Sequence, residues 1–254
     1  MDKASGNQVK KWRKLQQRKY REKEKLFLAE GERCVTQIVE NRAIEVEDIV
    51  VEDGRVPSRV LLDSGIRLSA LSPEEINELS DTDHPQGILA VCRIPDEIDP
   101  SSLAGRTGVL VALDEIQDPG NFGTIIRTSV WFGASGLIAG TGCVDPWHPK
   151  VVRSTAGTTG VLPVVKGDLK SILRDLSNNG REVILLEGGR ESERLADLKT
   201  LNNAVITVGN EANGIQRELL EQGWRKIGIE GRHSGVESLN AAIATGIALY
   251  HINR

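Results

Sequence analysis

Short apolar runs and helix-period segments alternate along most of this chain, and the clearest example lies near its middle. Residues 109–113 form a β-branched run of the kind that makes a buried parallel strand, and Asp114 ends it. Asp118-Pro119-Gly120-Asn121 then carries turn and helix-start residues. Ile125, Ile126, Val130 and Trp131 follow at helical spacing, and residues 133–139 return as a glycine-started strand. The pattern predicts one β-α-β unit. Its design recurs twice. A strand over 204–208 runs into the polar loop 209–214, and a strand over 226–229 runs into the loop 230–240 and an alanine-rich helix ending at His251. Between these lie predicted helices over 149–156 and 168–177, and strands over 161–165 and 182–186.

The first third alternates on a smaller scale. The spacing of Val9, Trp12 and Leu15 predicts a helix over 7–25 with a narrow apolar stripe. Strands are expected over 26–29, 46–51, 65–69 and 87–93, and helices over 31–41 and 56–64. Ser72-Pro73-Glu74-Glu75 starts another helix, with a cap, a first-turn proline and a glutamate three residues after the cap. The stretch IPDEIDPSSLAGRT, residues 94–107, reads as a linker. The expected organisation is a small α/β domain over 1–93, that linker, and an α/β domain with a parallel sheet over 108–254.

Composition narrows the class. The chain has 254 residues and a net charge of −4, with no apolar run near the roughly 20 residues that cross a bilayer. Its start lacks the apolar core of a signal peptide, so a cytoplasmic protein without a membrane partner is expected. Cys34, Cys92 and Cys143 are isolated and odd in number, and the four histidines show no ligand spacing. We therefore expect buried thiols and no metal site. The charge is uneven: residues 1–33 hold eleven basic and five acidic side chains, a local balance of +6. Lys10, Lys11, Arg13, Lys14, Arg18 and Lys19 make a basic segment suited to RNA or DNA, against the plainer reading of a solvated helix of alternating charge. Lys150 and Arg153 on the 149–156 helix join them as candidates.

Loops at the carboxyl ends of parallel strands face the ligand crevice, which places Asp118, Asn121 and Arg127 near the functional edge. A guanidinium close to a helix start suits phosphate or a developing oxyanion. The competing reading is a surface arginine paired with Asp114 or Glu115. Glu211 is either a functional carboxylate or a cap, and Ser238 is a helix cap with or without a functional role. The glycines of 140–160 lack GxGxxG spacing and no Walker lysine follows, which weakens a nicotinamide-dependent reading.

Together DPGNFGTIIRTSVWFG (118–133), VGNEANGI (208–215) and SLNAAIATGIALY (238–250) resemble the SpoU/TrmH-type ribose 2′-O-methyltransferases of the SPOUT class. KKWRKLQQRKYREKEKLFLAEG (10–31) and HPQGILAV (84–91) resemble that family's ribosomal-protein-like substrate-binding domain. The resemblance implies a Rossmann-like parallel sheet with a C-terminal trefoil knot and a homodimer. It implies S-adenosylmethionine as methyl donor and a ribose 2′-hydroxyl as acceptor, with ribosomal RNA favoured over transfer RNA. It places Asn121, Arg127, Glu211, Ser238 and Asn240 at the family's polar catalytic positions, and Gly209, Ile229 and Leu239 at its donor contacts. One departure is visible: Glu230-Gly231 stands where many relatives have a proline and a hydrophobic residue, and the loop to Ser238 is slightly longer. Arg127 or the RNA phosphate are both candidates for the proton acceptor. Base methylation and a non-catalytic assembly factor are the rival functions.

Overall fold

A computed structural model describes residues 1–189, 192–231 and 238–253. Two compact units emerge: Met1–Asp96 with Asp145–Val161, and Glu97–Val144 with Leu162–Arg254.

The first unit holds β1 (Asp2–Lys3), α1 (Gly6–Lys14), α2 (Arg18–Glu24), β2 (Leu26–Glu30), α3 (Glu32–Asn41), β3 (Val46–Glu52), α4 (Arg59–Leu62), β4 (Leu68–Leu71), α5 (Pro73–Leu79) and β5 (Ile88–Arg93). Its sheet runs β1-β4-β3-β5-β2, with β1, β3 and β4 parallel and β5 antiparallel to both β3 and β2. The central strands are apolar on both faces because both are covered. Phe27, Ile49, Val51, Ile88 and Ala90 pack with Val35 and Ile38 of α3. Leu26, Leu28, Val50, Leu89 and Val91 pack on the opposite face with Val9, Trp12, Ile76 and Leu79. The expected capping box forms at Ser72 and Glu75.

Three expectations change here. The single helix over 7–25 is broken between Lys14 and Arg18, because Arg21 is drawn into the core to satisfy the carbonyls of Leu15 and Gln16 at 2.9 Å each. The 56–64 helix shrinks to four residues: Pro57 disfavours helical backbone at Val56, which is left exposed. Finally, residues 145–161 pack with this unit rather than with the rest of 108–254. Their helix α7 (Pro149–Ser154) lies on β2, Val152 joins the α3-side core, and Trp147 meets Phe27 with ring centroids 5.0 Å apart. Asp145 receives Arg21 at 2.7 Å, with 2% and 8% of the two side chains exposed.

The second unit holds β6 (Leu110–Leu113), α6 (Pro119–Trp131), β7 (Gly136–Gly140), β8 (Val164–Gly167), α8 (Leu169–Asn178), β9 (Glu182–Leu186), β10 (Glu193–Arg194), β11 (Ala204–Val208), α9 (Arg217–Leu220), β12 (Arg225–Gly228) and α10 (Ala241–Ile252). All pairings are parallel, in the order β10-β12-β9-β11-β6-β7-β8. Leu110, Ala112, Ile138, Val183, Leu185 and Val205 bury against Leu169, Leu173 and Leu176 of α8. On the other side α10 packs against α6 and β11. The chain moves outward from β6 through β7 to β8, then resumes beyond β11. The order therefore reverses between β6 and β11, and their carboxyl-end loops flank a crevice.

Candidate active site

The crevice is organised by caps. Asp118 caps α6, its carboxylate accepting from the Asn121 amide at 2.7 Å. That fixes the first helical turn and projects the Asn121 side chain outward. Asn121 Nδ2 donates to the Glu211 carboxylate, and Asn121 Oδ1 accepts from Asn240 Nδ2 at 2.9 Å. Asn240 is the cap of α10, accepting from the amides of Ala242 and Ile243 at 3.0 and 3.3 Å. Three loops far apart in sequence thus meet in one hydrogen-bonded chain, Asn240 to Asn121 to Glu211. The α10 cap is Asn240 and not Ser238, which is exposed two residues earlier. Arg127 is exposed on α6. It does not pair with Asp114 or Glu115 among the described residues, since Asp114 is turned inward.

Behind this chain lies a cleft of about 390 Å³. Leu186, Val208, Ile227, Ile229, Leu239 and Ala244 give it an apolar side, while Glu187, Glu211, Asn213 and Ser238 make much of the rest polar, and Gly209 also lines it. Gly209 must be glycine: a Cβ there would collide with the backbone of Gly214 and Ile215. The loop it opens closes on itself, Asn210 and Gly214 exchanging backbone hydrogen bonds of 3.0 and 2.9 Å. Asn210 then fastens it across the crevice, donating from Nδ2 to the Glu115 carbonyl at 2.9 Å. Asp114 is the second fastening. It accepts from the Gln216 amide at 2.7 Å and from Gln216 Nε2 at 2.8 Å. Burial raises its pKa, and the Gln216 bonds oppose the rise. Sequence reading missed Asn210, Asp114 and Gln216 as site builders. Nothing in their spacing marks two side chains 102 positions apart as partners.

Ile229 and Leu239 line the cleft. Of the loop joining them, Glu230 pairs with Arg194 at 2.7 Å, and residues 232–237 lie outside the described residues. The cysteines are free thiols, Cys34 and Cys92 buried, and burial pushes Cys34 and Cys143 up to about 11. Among the described residues no group of three or more His, Cys, Asp or Glu side chains could hold a metal ion.

In the first unit, Lys10, Lys11, Arg13, Lys14, Arg18 and Lys19 are exposed. Several are engaged locally: Lys11 with Glu24 at 3.3 Å, Arg18 with Glu22 at 2.7 Å, Arg13 with Glu78, and Lys14 over the Tyr20 ring at 5.4 Å. Lys150 is exposed, whereas Arg153 is half-buried, 3.8 Å from Glu30 and 3.5 Å from Asp81.

Residues 108–250 match the SpoU rRNA Methylase family, and residues 6–90 match the MRM3-like substrate binding domain. The chain belongs to the SpoU rRNA methylase family. Among relatives of this SpoU methylase is the 23S rRNA (guanosine(2553)-2′-O)-methyltransferase RlmP of Bacillus subtilis, 34% identical over 99% of this chain and 98% of the relative. Its fold is shared with the S-adenosylmethionine-bound rRNA methyltransferase of Sinorhizobium meliloti, with a TM-score of 0.83 and 26% identity over 99% of this chain and 96% of that one. It is shared also with the SpoU methyltransferase AviRb of Streptomyces viridochromogenes, solved with the same donor, with a TM-score of 0.83 and 25% identity over 98% and 97% of the two chains. The SpoU methylase described here is accordingly an RNA methyltransferase that uses S-adenosylmethionine. Its cleft suits that molecule: an apolar slot for a purine, open backbone at Gly209, and carboxylates that favour a cationic donor.

Proposed function

We propose that the protein methylates a ribose 2′-hydroxyl in ribosomal RNA, with the donor in the cleft behind Gly209 and the acceptor over Asn121, Glu211 and Asn240. The hydrogen-bonded convergence of those three residues at the mouth of the cleft carries the reading. Bound there, S-adenosylmethionine supplies an electrophilic methyl group on a sulfonium. The chain's own task is to place a weakly acidic hydroxyl in line with it, and positioning of this kind lowers a barrier by about 7–11 kcal/mol in favourable cases. Glu211, held by Asn121, orients the acceptor ribose, and Ser238 contributes a hydroxyl from the facing loop. Arg127 holds the neighbouring phosphate or stabilises the oxygen as it loses its proton. The RNA phosphate takes that proton, or an Arg127 side chain does whose surroundings in the complex hold it neutral beforehand. The exposed cations of α1, α2 and α7 bind the RNA backbone, a contact that weakens as salt is raised. The C-terminal segment, we infer, is threaded as a trefoil knot, and the protein acts in the cytoplasm. Among the described residues no helix is long and apolar enough to cross a membrane.

Incubation with radiolabelled S-adenosylmethionine and unmodified ribosomal and transfer RNA, followed by digestion to nucleosides, tests this directly. Label in a 2′-O-methylated nucleoside of ribosomal RNA is expected. Label on a base overturns the chemistry, and label in transfer RNA alone overturns the substrate. Donor binding with no label in any RNA or ribosomal particle favours the assembly-factor reading.

A second copy of the chain is proposed to cover the outer face shared by α6 and α10. Trp131 is 83% exposed there, joined by Ile243, Ile247 and Tyr250. Arg127 lies on the same exposed stripe of α6, one turn before Trp131, so the apolar face is continuous with the catalytic candidates. Sedimentation is expected to give twice 27.7 kDa, and Trp131→Glu to give a monomer. A wild-type chain that sediments as a monomer at micromolar concentration overturns the proposal.

A further inference from the structure

Glu187 is a carboxylate of the cleft wall that the catalytic reading leaves unused. It follows the last residue of β9, level with the place where β11 gives way to Gly209, since Leu186 is paired with Val208 on one side and Ile227 on the other. Its amide is tied to the Ile227 carbonyl at 3.1 Å, which anchors the backbone. The side chain lines the cleft beside Gly214, where a Cβ would stand 3.5 Å from Glu187 Oε2. No side chain at Gly214 screens the carboxylate, and it has no hydrogen-bond partner among the described residues. Glu211, the other carboxylate of the cleft, is held at the mouth by Asn121.

We propose that Glu187 binds the two ribose hydroxyls of the methyl donor's adenosine and so selects a ribonucleoside ligand. An ionised carboxylate is acceptor-only, with two oxygens that match a vicinal diol presenting two O–H donors. The placement has a general parallel: in open parallel sheets an acid that receives a nucleotide's ribose stands at the carboxyl end of a strand near the glycine-bearing loop. Here the glycine loop follows β11 and the acid follows the adjacent β9. The apolar residues around Glu187, Leu186, Ile227 and Ile229, suit the purine next to that ribose. The carboxylate's negative charge also favours the sulfonium over its neutral product.

The inference rests on the cleft holding the donor, and calorimetric titration separates the two. The ligands are S-adenosylmethionine, S-adenosylhomocysteine, 5′-methylthioadenosine, which lacks the amino-acid arm, and its 2′,3′-dideoxy form. Glu187→Gln and Glu187→Ala are expected to weaken the first three by about 10- to 100-fold, as loss of a charge-assisted hydrogen bond would. Binding of the dideoxy compound is expected to be weak and unchanged by either substitution. Loss of affinity for S-adenosylhomocysteine with none for 5′-methylthioadenosine would mean that Glu187 meets the amino-acid arm, and overturns the proposal. So does unchanged affinity for all four ligands. Ala244→Phe, which fills the cleft, serves as the control. If it abolishes donor binding while Glu187→Gln leaves the affinity unchanged, the ribose assignment alone fails. If it leaves donor binding intact, the donor sits elsewhere and the cleft reading fails with it. An unchanged melting temperature of each variant excludes unfolding.

Discussion

Arg127→Ala is expected to slow methyl transfer by about 100- to 1,000-fold while leaving the donor dissociation constant within about twofold of wild type. The split follows from position. Arg127 is exposed on α6 and is not among the residues lining the proposed donor cleft, so on this reading its partner is the RNA. In the proposed role it acts on the charge that develops on the acceptor oxygen or on the adjacent phosphate, and both appear only with the substrate present. Arg127→Lys is expected to recover little, because an ammonium lacks the planar fork that grips a phosphate or an oxyanion by two bonds. Single-turnover assays read the rate, and calorimetry reads donor binding. An Arg127→Ala protein with wild-type single-turnover rate, or one that loses donor binding in proportion to activity, would refute the assignment.

Arg21→Met is expected to destabilise the fold by about 3–5 kcal/mol, the largest loss in stability foreseen for a single basic residue of the N-terminal segment. Arg21 looks like one more cation in a basic run, yet 2% of its side chain is exposed. It donates to Asp145 through Nε at 3.1 Å and Nη2 at 2.7 Å, and through Nη1 to the carbonyls of Leu15 and Gln16. Its removal takes two donors from the buried Asp145 carboxylate, which keeps the Trp147 amide at 3.2 Å, and takes the Arg21 donor from the carbonyls of Leu15 and Gln16; lost partners of buried charged groups are what make such losses large. Lys19→Met, two positions away and exposed, is expected to change stability by less than about 0.5 kcal/mol. Urea denaturation of the two variants makes the comparison. Equal effects at the two positions would show that Arg21 is not the keystone of this segment. The double variant Arg21→Met, Asp145→Leu is expected to recover part of the loss, since replacing both members of a buried pair removes the carboxylate charge that Arg21 compensates.

Those two arginines mark where local pattern stops being informative. The parallel strands were legible because a strand covered on both faces needs an unbroken apolar run: the strands over 182–186 and 204–208 are found at their expected bounds. The helix starts at Ser72 and Asp118 were legible because capping is written in adjacent residues. Boundaries moved where a side chain reached beyond its own element, as Arg21 does in splitting the first helix. The short β1, β10 and α9 carried no pattern strong enough to be expected. The three thiols were expected to be buried; those of Cys34 and Cys92 are, and Cys143 is only half-buried.

By itself the sequence determined the alternating α/β character, the order of the three functional loops and the residue types each would carry, since these follow from periodicity and turn chemistry within a few residues. Only the tertiary structure decided that Asn121, Glu211 and Asn240 share one hydrogen-bonded chain and that Asp114 is spent on Gln216. It alone took residues 145–161 out of the second unit and left Glu187 facing the cleft with no partner among the described residues. The physical reason is common to all of these. Each depends on which polar groups, exposed as Glu211 and Asn240 are or buried as Asp114 is, strand order brings face to face across the crevice or in another element, and not on neighbours in the chain.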